Sequence, residues 1–143
     1  MTSDASARSF SSPSLKTCAL GYVSDEKRIA VIYNAADIYV LPSVEDNLPN
    51  TVMEAMACGV PCVGFRTGGI PEMIDHGKNG YVADFRKADD LAAGMHRLLC
   101  GDDYEAMSRA AVSKVHTHYS QQSVAMRYIE VYNETAAMKK YII

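Results

Sequence analysis

The sequence has no stretch suited to crossing or entering a membrane. No run approaches the roughly 20 consecutive apolar residues that a membrane-spanning helix needs. The N-terminal residues also lack the basic and apolar regions of a secretion signal. We therefore expect a cytoplasmic location, with the inner face of a membrane as the alternative.

Excess basic charge and paired cysteines are absent as well. Lys and Arg number 14 against 17 Asp and Glu, which gives a formal net charge of −3 and no electrostatic case for binding nucleic acid. The four cysteines, Cys18, Cys58, Cys62 and Cys100, do not have the paired spacing of a metal site. Cys58 and Cys62 lie among apolar residues and are interpreted as small core residues, which fits a reducing compartment.

What is present is typical of one globular domain. The chain has 143 residues, of which 48% are hydrophobic and 22% are charged. Residues 1–14 are rich in Ser and almost free of apolar side chains, so they are predicted to form a disordered tail that does not resemble a domain start. Residues 15–143 are predicted to fold.

Apolar runs alternate with helix-like segments along the folded part. Residues 38–41, 61–65 and 81–83 are predicted strands, and residues 17–20 are a further candidate. Strands separated by helices indicate an α/β fold with a parallel, Rossmann-like sheet and ligands at the carboxyl ends of its strands. Helical spacing of apolar residues predicts a helical C-terminus, and its residues are Leu91, Met95, Leu98 and Leu99, then Tyr104, Met107, Ala111 and Val115, then Val124, Tyr128, Val131, Tyr132 and Thr135.

The stretch from Pro42 to Gly59 organises the chain. Pro42 ends the strand before it, a polar loop follows, and a helix of good helix formers runs to Ala57 and is closed by Gly59. The order is strand, loop and helix N-terminus. Such a junction points free backbone N–H groups and the positive end of the helix dipole into solvent. The stretch therefore predicts an anion site.

Two carboxylates flank this helix start. Glu54 is the only charged side chain between Thr51 and Cys62, and Asp46 precedes it with seven residues between. Glu54 either lies on the solvent-exposed stripe of an amphipathic helix or accepts hydrogen bonds from ligand hydroxyls. The spacing predicts that Asp46, rather than its neighbour Glu45, faces the ligand.

These residues resemble the signature of family-4 retaining glycosyltransferases, which have the GT-B fold of two Rossmann-like domains. The resemblance covers roughly residues 20–99 and includes the segments 20–23, 33–37, 42–61 and 68–72. It implies that this chain is a partial C-terminal, nucleotide-sugar-binding domain. It also implies transfer of a hexose from a nucleotide-diphosphate sugar to an acceptor hydroxyl, as in glycan, polysaccharide or glycolipid synthesis, without a metal or other cofactor.

The resemblance assigns donor-binding roles and no catalytic residue. Glu54 would hold the ribose, Asp46 the sugar, the amides near Asn50 and Thr51 the phosphates, and the loop with Tyr22 and Val23 the base. The full set of expected donor-binding residues is Asp46, Asn47, Leu48, Asn50, Thr51, Glu54, Tyr22 and Val23. Tyr22 is equally well interpreted as a surface-packed aromatic. Asp46 departs from the family's usual Glu, and Pro49 removes one amide that could bind a ligand.

The resemblance also implies parts that this chain does not contain. The acceptor-binding domain and a basic pair for the pyrophosphate have no counterpart, so the isolated chain is expected to be inactive and to need that domain or a partner chain. A non-catalytic fragment or binding module, or a relative of GT-B nucleotide-sugar epimerases, is the alternative. The last helix would lose its partner domain and expose an apolar face, which leaves self-association and peripheral membrane association of the full enzyme open.

Overall fold

The structure is a computed structural model that describes residues 16–139. The predicted tail, residues 1–14, lies outside the described residues. The elements in chain order are α1 (Glu26–Asn34), β1 (Tyr39–Leu41), α2 (Asn50–Ala57), β2 (Cys62–Phe65), α3 (Ile70–Met73), β3 (Gly80–Ala83), α4 (Ala88–Cys100), α5 (Tyr104–His118) and α6 (Gln121–Lys139). The order confirms the predicted α/β architecture with a helical C-terminus.

The three strands form one parallel sheet with β2 between β1 and β3. Val40 pairs with Val63, and Val63 pairs with Tyr81. Because the strands are parallel, the loops that follow β1 and β2 leave the same edge of the sheet side by side. This edge carries the loop with Asp46 and the turn with Gly68.

The sheet is covered by helices on both faces, and each face has its own apolar cluster. One cluster joins α2 and α5 through Val52, Met56 and Ala111, which are fully buried. The other joins β2 to α4 and α5 through Val63, Leu98 and Met107. Cys62 is buried in the first cluster, where burial raises the pKa of its thiol, so it is a core residue as the sequence predicts.

Glycines end two of the helices as expected. Gly59, which follows the C-terminal residues of α2, has a φ of +78°, a conformation that favours glycine. Gly101 is the C-cap of α4. Gly59 therefore marks the end of α2. The N-terminus of α2, which follows β1, lies at the carboxyl edge of the sheet.

Three details of the predicted secondary structure are wrong. Residues 17–20 form no strand, because they are exposed and belong to no regular element. The sequence predicts Ser24 as the N-cap of the helix that follows, but Asp25 is the N-cap of α1 and accepts a hydrogen bond from the Arg28 amide at 2.7 Å. We expected Leu99 on the buried face of α4, yet it is 54% exposed, because Gly94 and Leu98 are the positions that face the sheet.

Helix α6 leaves its apolar side chains in solvent. Tyr128, Val131 and Tyr132 are 60%, 55% and 66% exposed. These positions are therefore not core, and the expected exposed apolar face is present on the last described helix. Across the described residues, no helix combines the length and the hydrophobicity needed to cross a bilayer.

The turn between α3 and β3 is held by one buried amide. Asn79 is 1% exposed, accepts a hydrogen bond from the Asp75 amide at 2.9 Å and donates one to the Met73 carbonyl at 3.4 Å. Lys114 of α5 then pairs with the Asp75 carboxylate at 2.8 Å. These contacts tie α5 to the turn that precedes the edge strand β3.

Candidate functional site

The loop after β1 is held against the turn after β2 by two hydrogen bonds. The Gly69 amide donates to the Asp46 carbonyl at 3.3 Å, and the Thr67 hydroxyl donates to the Val44 carbonyl at 3.2 Å. The backbone around Asp46 is therefore fixed by its neighbour in the sheet, although it belongs to no regular element.

Gly68 and Gly69 make this close approach possible. A Cβ on Gly68 would lie 1.7 Å from the Asp46 carbonyl oxygen, and one on Gly69 would lie 1.8 Å from that of Asn47. From the sequence, the glycine pair could serve close approach to a donor or a simple tight turn. The structure assigns it a third role that the sequence analysis missed, which is to let the two loops touch.

Helix α2 begins at this edge without a side-chain cap. Its N-cap is Pro49, whose side chain accepts no hydrogen bond and which has no N–H of its own. The amide N–H groups of Asn50 and Thr51 have no hydrogen-bond acceptor among the described residues. Uncapped N–H groups at a helix start form a site for an anion.

The predicted loop residues lie at the surface around this helix start. Asn47, Leu48, Asn50 and Thr51 are exposed. Glu45 is also exposed, whereas Asp46 is half-buried. That Asp46, rather than Glu45, faces the ligand stays a prediction.

Glu54 lies on the exposed face of α2 and contacts helix α1. The Tyr33 hydroxyl donates a hydrogen bond to Glu54 Oε2 at 3.3 Å. Burial first, and the charge of Glu54 second, raise the pKa of Tyr33 well above its ordinary value, so the phenol keeps its proton and remains a donor. Glu54 therefore lies on the exposed stripe of the helix, as one interpretation of the sequence has it, and its role toward a ligand stays a prediction.

Tyr39, the first residue of β1, is half-buried and its ring contacts the ring of Tyr33. Burial is the main cause that raises the pKa of Tyr39, an interaction with the Thr51 side chain opposes the rise, and the negative charges of Glu54 and Asp46 add to it. The sequence analysis did not identify Tyr39 or Tyr33 as site residues, and two aromatics flanking the 33–39 segment were the available signal.

The loop with Tyr22 and Val23 lies on the other side of Tyr33. Gly21 and Val23 line a groove of about 290 Å³ together with Ile29, Tyr33 and Tyr39. Tyr22 itself is 94% exposed and does not line this groove. Gly21 and Val23, rather than Tyr22, therefore line the groove next to Tyr33.

A second groove, of about 340 Å³, lies between α1 and α2. Its lining includes Ile29 and Tyr33 from α1 and Glu54 and Ala57 from α2. The two grooves share Ile29 and Tyr33 in their linings. The lining of the second groove also contains the carboxylate of Glu54. Among residues 16–139, no three His, Cys, Asp or Glu side chains are grouped so that they could hold a metal ion.

Solved structures with the same fold are glycosyltransferases of the GT-B class. Sucrose-phosphate synthase from Thermosynechococcus elongatus matches with a TM-score of 0.71 at 24% identity, over 80% of this chain and 29% of that one. HepE from Anabaena, in complex with UDP-glucose, matches with a TM-score of 0.69 at 20% identity, over 80% of this chain and 31% of that one. At these identities the comparison shows the fold alone, and that fold is the C-terminal domain of a GT-B glycosyltransferase.

The chain belongs to the family described as glycosyl transferases group 1, whose sequence model matches residues 6–101. D-inositol 3-phosphate glycosyltransferase from Corynebacterium jeikeium is 36% identical over 104 residues, which are 72% of this chain and 25% of that protein. The chain spans less than a third of the length of the curated relatives that it matches. The family match confirms the resemblance at the level of glycosyl transferases group 1.

Proposed function

We propose that this chain is the donor-binding part of a glycosyltransferase that uses a nucleotide-diphosphate sugar. The full enzyme would transfer a hexose to an acceptor hydroxyl with retention of the anomeric configuration. The observation that carries the proposal is the uncapped start of α2, with half-buried Asp46 before it and Glu54 in its second turn. These groups suit the diphosphate, the sugar and the ribose, which are three of the four parts of such a donor, the base being the fourth.

Each part of the donor is assigned to the group that suits its chemistry. The diphosphate would accept hydrogen bonds from the Asn50 and Thr51 amides, where the helix dipole favours negative charge. Glu54 would accept hydrogen bonds from the ribose hydroxyls, and Asp46 from the sugar hydroxyls. Asn47 and Leu48 would line the sugar side, and the loop with Tyr22 and Val23 would lie beside the base.

The comparisons support this assignment by chemical class. HepE, which shares the fold, was solved with UDP-glucose. The helix start here needs no metal to attract a diphosphate, since amides and a dipole supply positive potential. The ligand proposed for the domain is therefore a nucleotide sugar.

The rest of the enzyme would come from another domain or from a partner chain. Residues 15–143 would form the partial C-terminal domain, and the acceptor-binding half would pack against it. The exposed apolar face of α6 supports such a contact, because Tyr128, Val131 and Tyr132 lie on a helix with few other contacts. Without that half, acceptor and donor are not held together, which forfeits ~7–11 kcal/mol of barrier reduction.

A binding titration tests the proposal. We expect UDP, GDP or ADP to bind no tighter than roughly millimolar, about 4 kcal/mol of free energy. Glu54→Gln should weaken the best nucleotide by ~1.5–3 kcal/mol, because a charge-assisted hydrogen bond is lost. Glu45→Gln is the matched control and should bind like the wild type, since Glu45 is exposed. Equal affinity of the wild type and Glu54→Gln would remove Glu54 from the site.

A transfer assay distinguishes the enzyme fragment from a non-catalytic module. Residues 1–143 alone should show no turnover with simple glycoside acceptors. Adding the acceptor-binding domain of a relative in trans should produce turnover only if this chain is the donor-binding half. Turnover by the isolated chain above the Glu54→Gln control would contradict the assignment of an incomplete enzyme.

A further inference from the structure

Tyr33 lines both grooves. The groove beside Gly21 and Val23 has no charged side chain in its lining, whereas the lining of the groove between α1 and α2 includes the carboxylates of Glu26 and Glu54. A base and its ribose differ in a similar way, because the base is a flat ring and the ribose presents two hydroxyls.

The phenol of Tyr33 holds one oxygen of the carboxylate and leaves the other open. Its hydroxyl donates to Glu54 Oε2 at 3.3 Å, and among the described residues Oε1 receives no hydrogen bond. The bond is longer than the roughly 2.7–2.8 Å typical of O–H···O contacts. Bonds of this kind in ligand-free sites often shorten when the ligand binds.

The ring itself is held in place. It meets the ring of Tyr39 edge-on, with centroids 5.7 Å apart and planes at 77°. Tyr33 also packs against the buried cluster beneath α2. A fixed phenol can therefore restrict a carboxylate that is otherwise on an exposed helix face, where a Glu side chain has several rotamers.

We propose that Tyr33 is the positioning residue for the ribose. Its hydroxyl fixes the Glu54 carboxylate so that the free oxygen accepts hydrogen bonds from the ribose 2′- and 3′-hydroxyls of a nucleoside diphosphate. This rests on the donor-binding function proposed above. The proposal predicts that removing the Tyr33 hydroxyl weakens recognition of the ribose hydroxyls by Glu54, although Tyr33 need not contact the ribose itself.

The hydrogen bond can be tested without any ligand. The chain is labelled with ¹³Cζ-tyrosine, and the Tyr33 signal is identified as the one missing from Tyr33→Phe. We expect Glu54→Gln to shift that signal and Glu45→Gln to leave it unchanged. A Tyr33 signal that does not respond to Glu54→Gln would overturn the proposal, and this comparison between wild type and Glu54→Gln needs no ligand.

The effect on recognition is tested with three matched pairs of nucleotides: UDP and 2′-deoxy-UDP, GDP and 2′-deoxy-GDP, and ADP and 2′-deoxy-ADP. We expect Tyr33→Phe to weaken the best ribonucleotide about three- to tenfold, the effect of one typical hydrogen bond, and to change its deoxy partner by less than about twofold. Tyr119→Phe is the control, because its phenol is also half-buried but donates to the Glu72 carbonyl, away from both grooves.

The outcomes separate this inference from the function on which it rests. If the wild type binds ribonucleotides no better than deoxynucleotides, the ribose role of Glu54 fails and the inference fails with it. If the wild type discriminates between them and Tyr33→Phe discriminates equally well, only the role of Tyr33 is overturned. A purely structural role would weaken both members of a pair alike, which would also overturn the proposal.

Discussion

Replacing Gly69 by Ala should separate the two loops that form the candidate site. Gly69 has a φ of −86°, so alanine fits its backbone without strain. The added Cβ, however, would lie 1.8 Å from the Asn47 carbonyl oxygen, whereas ordinary contact begins near 3.4 Å. The loop that carries Asp46 and Asn47 must therefore retreat by about 1.6 Å, the difference between these two distances.

The expected cost combines two terms. Overpacking a well-filled position costs typically ~1–3 kcal/mol. The hydrogen bond from the Gly69 amide to the Asp46 carbonyl would also be stretched, which costs about 0.5–1.5 kcal/mol. We expect Gly69→Ala to lower the free energy of unfolding by about 2–4 kcal/mol on these two terms.

Urea unfolding of residues 1–143, followed by circular dichroism, measures this cost. Gly77→Ala is the control, because Gly77 has a φ of +77° but no atom lies within 4 Å of its added Cβ. It should lose only the ~1–2 kcal/mol of a left-handed alanine. Nucleotide binding should weaken in Gly69→Ala and not in Gly77→Ala. A Gly69→Ala protein as stable as the wild type, with unchanged binding, would refute the contact between the loops.

Three further predictions concern the framework of the fold. Asn79→Ala should destabilise the chain by about 1–3 kcal/mol in urea unfolding, because it leaves the Asp75 amide and the Met73 carbonyl without their partner; no change would mean that water replaces the amide. Lys114→Ala should lower the free energy of unfolding by at most about 1 kcal/mol. Arg109→Ala should lower it by nothing measurable, because the Arg109 and Glu105 side chains are 73% and 81% exposed and their charged atoms are 3.8 Å apart. Equal effects of the two variants would contradict this ranking. A hydrogen bond from the Asp84 amide, and to a smaller extent one from the Tyr81 hydroxyl, lowers the pKa of Asp90 below its ordinary value of 3.8. The contribution of Asp90 to stability is therefore complete above that ordinary pKa and is lost as the pH falls through the lower pKa of the folded state. Asp90→Asn should therefore flatten the stability profile below about pH 4, and an unchanged acid limb would contradict the shift.

The parallel sheet and the helix starting at Asn50 could be predicted because local signals agree there. Pro42 ends a strand, Gly59 ends a helix, and short apolar runs are separated by helical spacing. The spacing of the carboxylates predicts that Asp46 faces the ligand, and Asp46 is the less exposed of the pair with Glu45. These features depend on residues close to one another in the chain.

The parts that could not be predicted depend on contacts between distant residues. Tyr33 and Glu54 are 21 positions apart, and only the packing of α1 on α2 brings them together. Gly69 and Asn47 meet because neighbouring parallel strands end at the same edge. Residues 17–20 have a strand-like pattern, but strand formation also depends on distant residues, and in the structure this segment belongs to no strand.

The central claim is that the start of α2 binds the diphosphate of a nucleotide whose ribose reaches Glu54. The most direct measurement is a ¹H–¹⁵N spectrum of residues 1–143 titrated with UDP, GDP or ADP and, separately, with inorganic pyrophosphate. We predict that the amides of Asn50 and Thr51 shift with either class of ligand, whereas residues around Glu54 and Tyr33 shift only with a nucleotide. Shifts that leave Asn50 and Thr51 unchanged, or that persist undiminished in Glu54→Gln around Tyr33, would contradict the account.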